Sequence, residues 1–158
     1  MSDQLDPLDL RVLSICIQQP RVGVREYARQ LGLARGTVQS RLNKLERLGV
    51  ITGWGPVVSP AGLGFTAMAY VRLQLAQGVL DEVTENLRRI PEVIEVDSIA
   101  GESDLLCRVV STGPENLEEV VQRILNVKGV IRSRTETVLR RRISQRIQPL
   151  VEGLVRDL

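Results

Sequence analysis

The organisation of this chain follows from residues 23–49, which read GVREYARQLGLARGTVQSRLNKLERLG. This stretch predicts two helices joined by a short turn at Gly32, because a glycine can adopt the positive φ that ends a helix. Apolar residues recur in the second helix at the spacing of one buried face: Val38, Leu42, Leu45 and Leu48. Two helices, a tight turn and a polar outer face form the helix-turn-helix pattern, whose second helix enters the major groove of DNA.

The outer face of that second helix carries small, amide and basic side chains. Amides and hydroxyls can read base edges, and basic groups can bind phosphates. We therefore expect the DNA contacts to come from Arg35, Gly36, Thr37, Gln39, Ser40, Asn43, Lys44 and Arg47. Residues 20–48 contain seven basic and two acidic residues, a local net charge of +5, whereas the whole chain carries +2. This concentration favours phosphate contact over the alternative of a merely solvated helix pair.

The composition argues against most catalytic and metal-binding functions. Histidine is absent, which removes the commonest general base and a common zinc ligand. Cys16 and Cys107 lie in separate apolar runs, which predicts two core residues in a reducing compartment. We therefore expect no cofactor and no enzymatic activity. The N-terminal residues lack a hydrophobic signal region and no apolar run has the length of a membrane span, so we expect a cytoplasmic protein without a membrane partner.

Turn residues divide the chain into three expected segments. A helix that begins at Asp6-Pro7 supports the helix pair, so residues 1–52 are predicted to form the DNA-binding domain. Residues 53–64 are predicted to form a linker, with β-branched runs at 50–58 that suggest a small ribbon or wing. We expect Trp54 to cover the hinge between domains, the alternative being a contact with DNA or a partner subunit.

Residues 65–158 are expected to form the second domain, with elements in the order strand, helix, strand, strand, helix, strand. This βαββαβ order predicts an α+β protein whose C-terminal domain is ferredoxin-like, with two helices on one face of an antiparallel sheet. We expect apolar and threonine side chains on the open face, and a second copy of the sheet to cover it.

Charge separates the two predicted domains. Residues 61–131 contain six basic and eleven acidic residues, a net charge of −5, so this part of the chain should repel phosphate. A basic run follows at Arg140, Arg141, Arg142 and Arg146. The sequence leaves open whether that run contacts DNA, an acidic neighbouring subunit or only solvent.

Short motifs occur in a fixed order along nearly the whole chain. They are Leu5-Asp6-Pro7-Leu8-Asp9, Glu26-x-Ala28, Thr37-Val38, Arg41-Leu42, Leu45-Glu46, Gly49-Val50-Ile51, Leu63-Gly64, Gly101-x-x-Asp104 and Gly129-Val130. In this order and spacing they resemble the Lrp/AsnC, or feast/famine, family of bacterial and archaeal transcription regulators. The resemblance implies DNA binding through the third helix, dimerisation through the C-terminal sheets with frequent further assembly into octamers, and an amino acid or related small molecule as effector.

In that family the effector lies between dimers, at the turn that matches residues 101–104. The resemblance implies effector contacts from Gly101, Glu102, Ser103, Asp104 and Thr135. Backbone N–H groups of such a turn can hold a carboxylate, and an acidic side chain can hold an ammonium group. An ordinary hairpin turn is the alternative explanation of the same motif.

The chain departs from the family pattern at the starts of two helices. Ala34 stands where a serine usually caps the recognition helix, a change that costs about 0.5–2 kcal/mol of helix stability. Gly23 replaces the usual serine or threonine before the second helix. These departures bear on DNA sequence preference more than on DNA binding.

Two other functions are compatible with parts of the sequence. One is an effector-binding or assembly protein without DNA binding, against which the complete basic helix pair argues. The other is an enzyme, because sirohaem decarboxylases resemble this architecture. Those enzymes depend on histidine, which this chain lacks.

Overall fold

The structure, a computed structural model, describes residues 5–156 of the 158-residue chain. The helices are α1 (Pro7–Gln18), α2 (Val24–Leu31), α3 (Arg35–Arg47), α4 (Leu80–Arg88), α5 (Pro114–Leu125) and α6 (Gln148–Arg156). The strands are β1 (Ala67–Leu75), β2 (Val93–Ser98), β3 (Leu105–Ser111) and β4 (Val130–Thr137). Residues 1–4 and 157–158 of the predicted domains lie outside the described residues. The described chain forms two compact units, residues 5–56 with 143–156 and residues 57–142.

The first unit is built from α1, α2, α3 and α6. Asp6 caps α1 as expected, because its side chain accepts the Asp9 N–H at 2.9 Å and Pro7 occupies the first turn. Helix α2 ends at Gly32, whose φ of 67° lies in the left-handed region. Helix α3 buries three of the four residues of the predicted apolar stripe, and Leu48 is half-buried.

Tyr27 lies at the centre of the first unit's core. Its side chain is 2 % exposed, and its hydroxyl donates to the Gln19 carbonyl oxygen at 2.7 Å. This hydrogen bond satisfies the polar end of an otherwise apolar side chain. Cys16 packs in the same core as a free thiol, and burial raises its pKa to about 11.

The second unit is a four-stranded antiparallel sheet with two helices on one face. The strand order is β2-β3-β1-β4, which is the arrangement that the βαββαβ order predicts. Helices α4 and α5 pack their apolar faces on alternate residues of β1 and β3, among them Val71, Leu73 and Cys107. The α+β class and the ferredoxin-like domain are therefore confirmed.

The open face of the sheet carries charged side chains that the sequence did not predict, beside the expected apolar ones, among them Met68, Leu106 and Val110. Tyr70, Arg72 and Gln74 of β1 pair in register with Glu136, Arg134 and Arg132 of β4. Residues that pair across strands share a face. Thr135 pairs with the buried Val71 and therefore lies on the helix side of the sheet, where the edge strand leaves it exposed. The threonines are thus absent from the face where we expected them.

Two segments of the chain differ from the expected division. Residues 143–156 belong with the first unit, because Val151 of α6 is 3 % exposed in that unit's core and α6 packs on α1. Residues 50–58 form no strand, since their two β-branched runs do not pair with each other and Pro56 has no backbone N–H. Trp54 lies beside the end of α3, where its Nε1 donates to Glu46 Oε1 at 2.6 Å.

Candidate functional site

Most of the predicted DNA contacts lie on one exposed face of α3. Thr37 and Lys44 are partly exposed, whereas the remaining predicted contacts are exposed: Arg35, Gly36, Gln39, Ser40, Asn43 and Arg47. Gln39 Nε2 donates to Asn43 Oδ1 at 2.9 Å, so the two amides hold each other in place one turn apart. The remaining amide hydrogens and the Gln39 oxygen provide both donors and acceptors for base edges.

The first turn of α3 is also available to an anion. Ala34, the residue before the helix, makes no side-chain hydrogen bond to the first-turn N–H groups, as its methyl group requires. Those N–H groups carry the positive end of the helix dipole. Arg35 and Gly36 lie exposed in this turn, so a phosphate can approach both the backbone donors and a guanidinium.

Lys44 is engaged elsewhere, which changes the role expected for it. Its ammonium forms an ion pair with Asp9 of α1, which is completely buried. Asp9 also accepts the Asp6 N–H at 2.9 Å and pairs with Arg41 at 3.1 Å, and Arg41 reaches Asp6 as well. We call Asp6, Asp9, Arg41 and Lys44 the acidic clamp. The ion pairs of the acidic clamp join α3 to α1, and they hold the Lys44 ammonium at Asp9 rather than on the outer face of α3.

The acidic clamp keeps its central carboxylate ionised. Burial by itself raises the pKa of Asp9, but the hydrogen bonds from Lys44, the Asp6 N–H and Arg41 outweigh that effect, and the pKa lies below its ordinary value. This cluster was not predicted from the sequence. A signal was present, because Asp9 stands with Val12, Leu13 and Cys16 at the spacing of a buried helical face, where a carboxylate requires a basic partner.

Several exposed arginines of the first unit are available to bind a negatively charged partner. Arg21, Arg25, Arg35 and Arg47 are exposed and form no ion pair among residues 5–156. Arg29 differs, because it donates twice to Glu26 and lowers the pKa of that carboxylate to about 2. The positive charge of this unit therefore lies mainly on exposed side chains that have no acidic partner among residues 5–156.

The turn at residues 101–104 is held firmly to the end of β1. Asp104 accepts the Leu75 N–H at 2.7 Å through its carboxylate and donates its own N–H to the Leu73 carbonyl at 2.9 Å. Gly101 has a φ of 132°, a backbone conformation that side chains other than hydrogen disfavour. One carboxylate oxygen of Asp104 is thus already used within the fold.

Three clefts of the second unit border this turn, and the two larger ones share no residue. One of about 470 Å³ is lined by Glu102 and Ser103 together with Arg72, Gln74, Arg132, Ser133 and Arg134. The other, of about 520 Å³, is lined by Asp104, Ser98, Ile99 and the residues that follow β1. Thr135 lines neither of these clefts. The structure therefore separates the expected effector contacts, with Glu102 and Ser103 in one cleft and Asp104 in the other.

No helix within residues 5–156 has the length and apolar content needed to cross a lipid bilayer. In the same part of the chain, no three His, Cys, Asp or Glu side chains come together as a set of metal ligands.

Comparison with known proteins supports the division into two functional parts. Residues 5–52 match the winged helix-turn-helix DNA-binding family, and residues 68–147 match the Lrp/AsnC ligand binding domain. The HTH-type transcriptional regulator Ptr1 of Methanocaldococcus jannaschii is 32% identical over 129 residues, which cover 79% of this chain and 87% of that protein.

Solved structures similar to this chain cover most of its length. AsnC of E. coli is similar with a TM-score of 0.84 and 25% identity, over 92% of this chain and 99% of that one. A feast or famine regulatory protein from M. tuberculosis, complexed with L-methionine, is similar with a TM-score of 0.82 and 29% identity, over 90% of this chain and 97% of that one. The chain is a DNA-binding transcriptional regulator and belongs to the Lrp/AsnC family.

Proposed function

We propose that this regulator recognises DNA through the exposed face of α3 and changes its affinity or assembly when an amino acid binds the second unit. The observation that carries the proposal is the outer face of α3, which is exposed, polar and basic. Thr37, Gln39, Ser40 and Asn43 contact base edges, whereas Arg35 and Arg47 contact phosphates and Gly36 allows a close backbone approach.

The effector is proposed to bind beside the turn at residues 101–104. Support comes from the two larger clefts that border the turn, and from the M. tuberculosis relative that is complexed with L-methionine. In this proposal Gly101, Glu102, Ser103 and Asp104 shape the site. Thr135 contributes only through a second subunit, because it lines neither cleft of its own chain.

The protein is proposed to act as a homodimer, with octamers as a further assembly state. A dimer suits a helix-turn-helix protein, since two recognition helices can bind two half-sites one helical turn apart. The open face of the sheet carries both positive and negative side chains, which form ion pairs with one another. A second copy of this face can therefore bind it with complementary charge. We propose that the protein works in the cytoplasm as a regulator without catalytic activity.

Binding to DNA from upstream of the protein's own gene tests this function. Affinity is measured against random DNA of equal length at two salt concentrations, and amino acids are then added one at a time. We expect tighter, salt-sensitive binding to the upstream DNA, and a change of affinity or assembly with one or a few amino acids. Equal and negligible binding to both DNA samples would contradict the proposal.

A further inference from the structure

The segment between β4 and α6 holds a concentration of positive charge that the proposed function does not use. Residues 138–147, which we call the arginine segment, contain Arg140, Arg141, Arg142 and Arg146. No acidic residue occurs between Glu136 and Glu152. Four positive charges within seven residues therefore repel one another, with no neighbouring carboxylate along the chain to offset them.

The structure leaves these charges available. All four arginines are exposed, and none forms an ion pair within residues 5–156. Within residues 5–156, the only side-chain hydrogen bond of these arginines runs from Arg141 Nη2 to the Met68 sulfur at 3.3 Å. In contrast, each of Arg72, Arg88, Arg108, Arg123 and Arg134 in the second unit has a carboxylate within 4 Å. Arg89, Lys128 and Arg132 also form no ion pair among residues 5–156, but only in the arginine segment do four such charges lie within seven residues.

The end of the arginine segment is fastened to the DNA-binding unit. Helix α6 buries Val151 in that unit's core, and Gln148 Nε2 donates to Ser14 Oγ of α1 at 3.1 Å. Arg146 precedes α6 by two residues and belongs to the same unit as α3. A basic segment held on a DNA-binding unit acts at a high effective concentration near DNA.

We propose that the arginine segment is a second DNA contact, which binds backbone phosphates in addition to those bound by α3. Residues 139–146 have no helix or strand, and their backbone N–H groups donate to no other backbone group of residues 5–156, so the segment can follow a nucleic-acid surface. Fully extended, residues 140–146 span about 20 Å at about 3.3 Å per residue. That length covers about six base pairs, and guanidinium groups bind phosphates with two parallel hydrogen bonds.

An acidic surface of a second subunit is the competing partner. The second unit has twelve acidic residues, of which four, Glu85, Glu92, Glu95 and Glu136, are paired with arginines of their own unit and the other eight form no ion pair among residues 5–156. DNA offers a continuous row of phosphates beyond those assigned to Arg35 and Arg47, and such a row suits four arginines along one extended segment better than separate carboxylates do. The charge pattern therefore favours DNA. This inference rests on the proposed function, because it requires a protein that binds DNA.

The test compares two full-length triple variants that lose the same charge. Arg140→Gln/Arg142→Gln/Arg146→Gln removes three charges of the arginine segment and keeps Arg141 beside Met68. The control, Arg88→Gln/Arg89→Gln/Lys128→Gln, removes three exposed charges elsewhere in the second unit. Affinity for the upstream DNA is measured between 50 and 200 mM salt, and sedimentation gives the mass of each variant without DNA.

We expect the segment variant to lower the slope of log affinity against log salt by two to three units, because each phosphate contact contributes about 0.9. The control should leave the slope within half a unit of the wild type. Replacing the same three arginines by lysine should retain most of the slope, since the charge is kept. The single variant Arg146→Gln, with an expected loss of about 0.9, keeps the test decisive should the triple variant fold poorly.

Two outcomes would overturn the inference. One is an unchanged slope in the segment variant, and the other is a change of mass that accounts for any loss of affinity, which would indicate an acidic protein partner. Arg47→Gln separates this failure from a failure of the proposed function. If the wild type binds DNA and Arg47→Gln weakens it while the segment variant does not, only the second contact is disproved. If the wild type itself fails to bind DNA, the proposed function fails with it.

Discussion

Each unit of this protein contains a cluster in which carboxylates meet arginine or lysine, and the two clusters differ mainly in exposure. In the acidic clamp, Asp9 is completely buried and gathers Arg41, Lys44 and the Asp6 N–H. On the open sheet face, Glu136 lies 3.5 Å from Arg72 and 3.4 Å from Arg134, and its side chain is 42 % exposed.

Burial determines what each of these ion-pair clusters contributes. Water screens the Glu136 cluster, so it contributes little to the stability of one chain and can exchange its partners. Asp9 has no access to water, so its charge depends on the two cations that α3 supplies. The acidic clamp is suited to holding α3 against α1, whereas the Glu136 cluster is suited to binding another surface.

Replacing Asp9 tests this difference most strongly. We expect Asp9→Asn to lower the free energy of unfolding by about 3 kcal/mol, because the lysine and arginine lose their buried counter-charge. Urea unfolding measures the change, and Glu136→Gln is the matched control on the open sheet face. A loss below about 1 kcal/mol would show that water reaches the clamp and that the two clusters are alike.

The stabilisation by Asp9 should also be lost when the pH is lowered. The pKa of Asp9 is lower in the folded chain than in the unfolded chain, so the unfolded state binds more protons as pH falls. The stabilisation is complete above the unfolded pKa of about 4 and is lost as pH falls towards the folded pKa. The stability gap between the wild type and Asp9→Asn should therefore narrow from pH 5 to pH 3 in urea unfolding. A constant gap would contradict the assignment.

Two cations of α3 should affect DNA binding differently. Arg47→Ala removes an exposed, unpaired charge, so we expect weaker binding to all sequences and a salt slope lower by about one unit. Lys44→Gln should lower stability but change the slope by less than half as much, because Asp9 already holds Lys44. Fluorescence anisotropy over a salt series distinguishes them, and equal slope changes would show that Lys44 leaves the clamp when DNA binds.

Base recognition should depend on a different residue of the same helix. Asn43→Ala removes an amide that faces outward from α3, and we expect relaxed preference at one base position, worth about 1–3 kcal/mol of discrimination. Competition between the upstream site and its single-base variants measures this preference. If Asn43→Ala and Arg47→Ala behaved alike on specific and random DNA, the division into base and phosphate contacts would be refuted.

The smallest effect is expected on the open sheet face. Glu136→Gln should change the free energy of unfolding by less than about 1 kcal/mol, since both of its pairs are solvent-exposed. If that face binds a second copy, the substitution should instead raise the dissociation constant of the dimer, which sedimentation measures. A large change in the free energy of unfolding, at a concentration where the protein is monomeric, would show that Glu136 stabilises a single chain.

Much of the molecule could be read from local patterns in the sequence. The helix pair, Gly32 at the end of α2 and the βαββαβ order depend on spacing and on turn chemistry over a few residues. The roles of Asp104 and Thr135 could not be read in this way. Asp104 binds the Leu75 N–H, 29 residues away, and the face of Thr135 depends on the register between β4 and β1.

Local patterns in the sequence predicted helices α1 to α3, the βαββαβ order, the concentration of positive charge and the family pattern, but not α6 or the absence of a strand at residues 50–58. Three features are visible only in the folded chain: Lys44 pairs with Asp9, charged side chains line the open sheet face, and α6 packs on α1. These features depend on contacts between residues far apart in the chain, and no local periodicity encodes them. A side chain's partner is known only when the fold brings the two together.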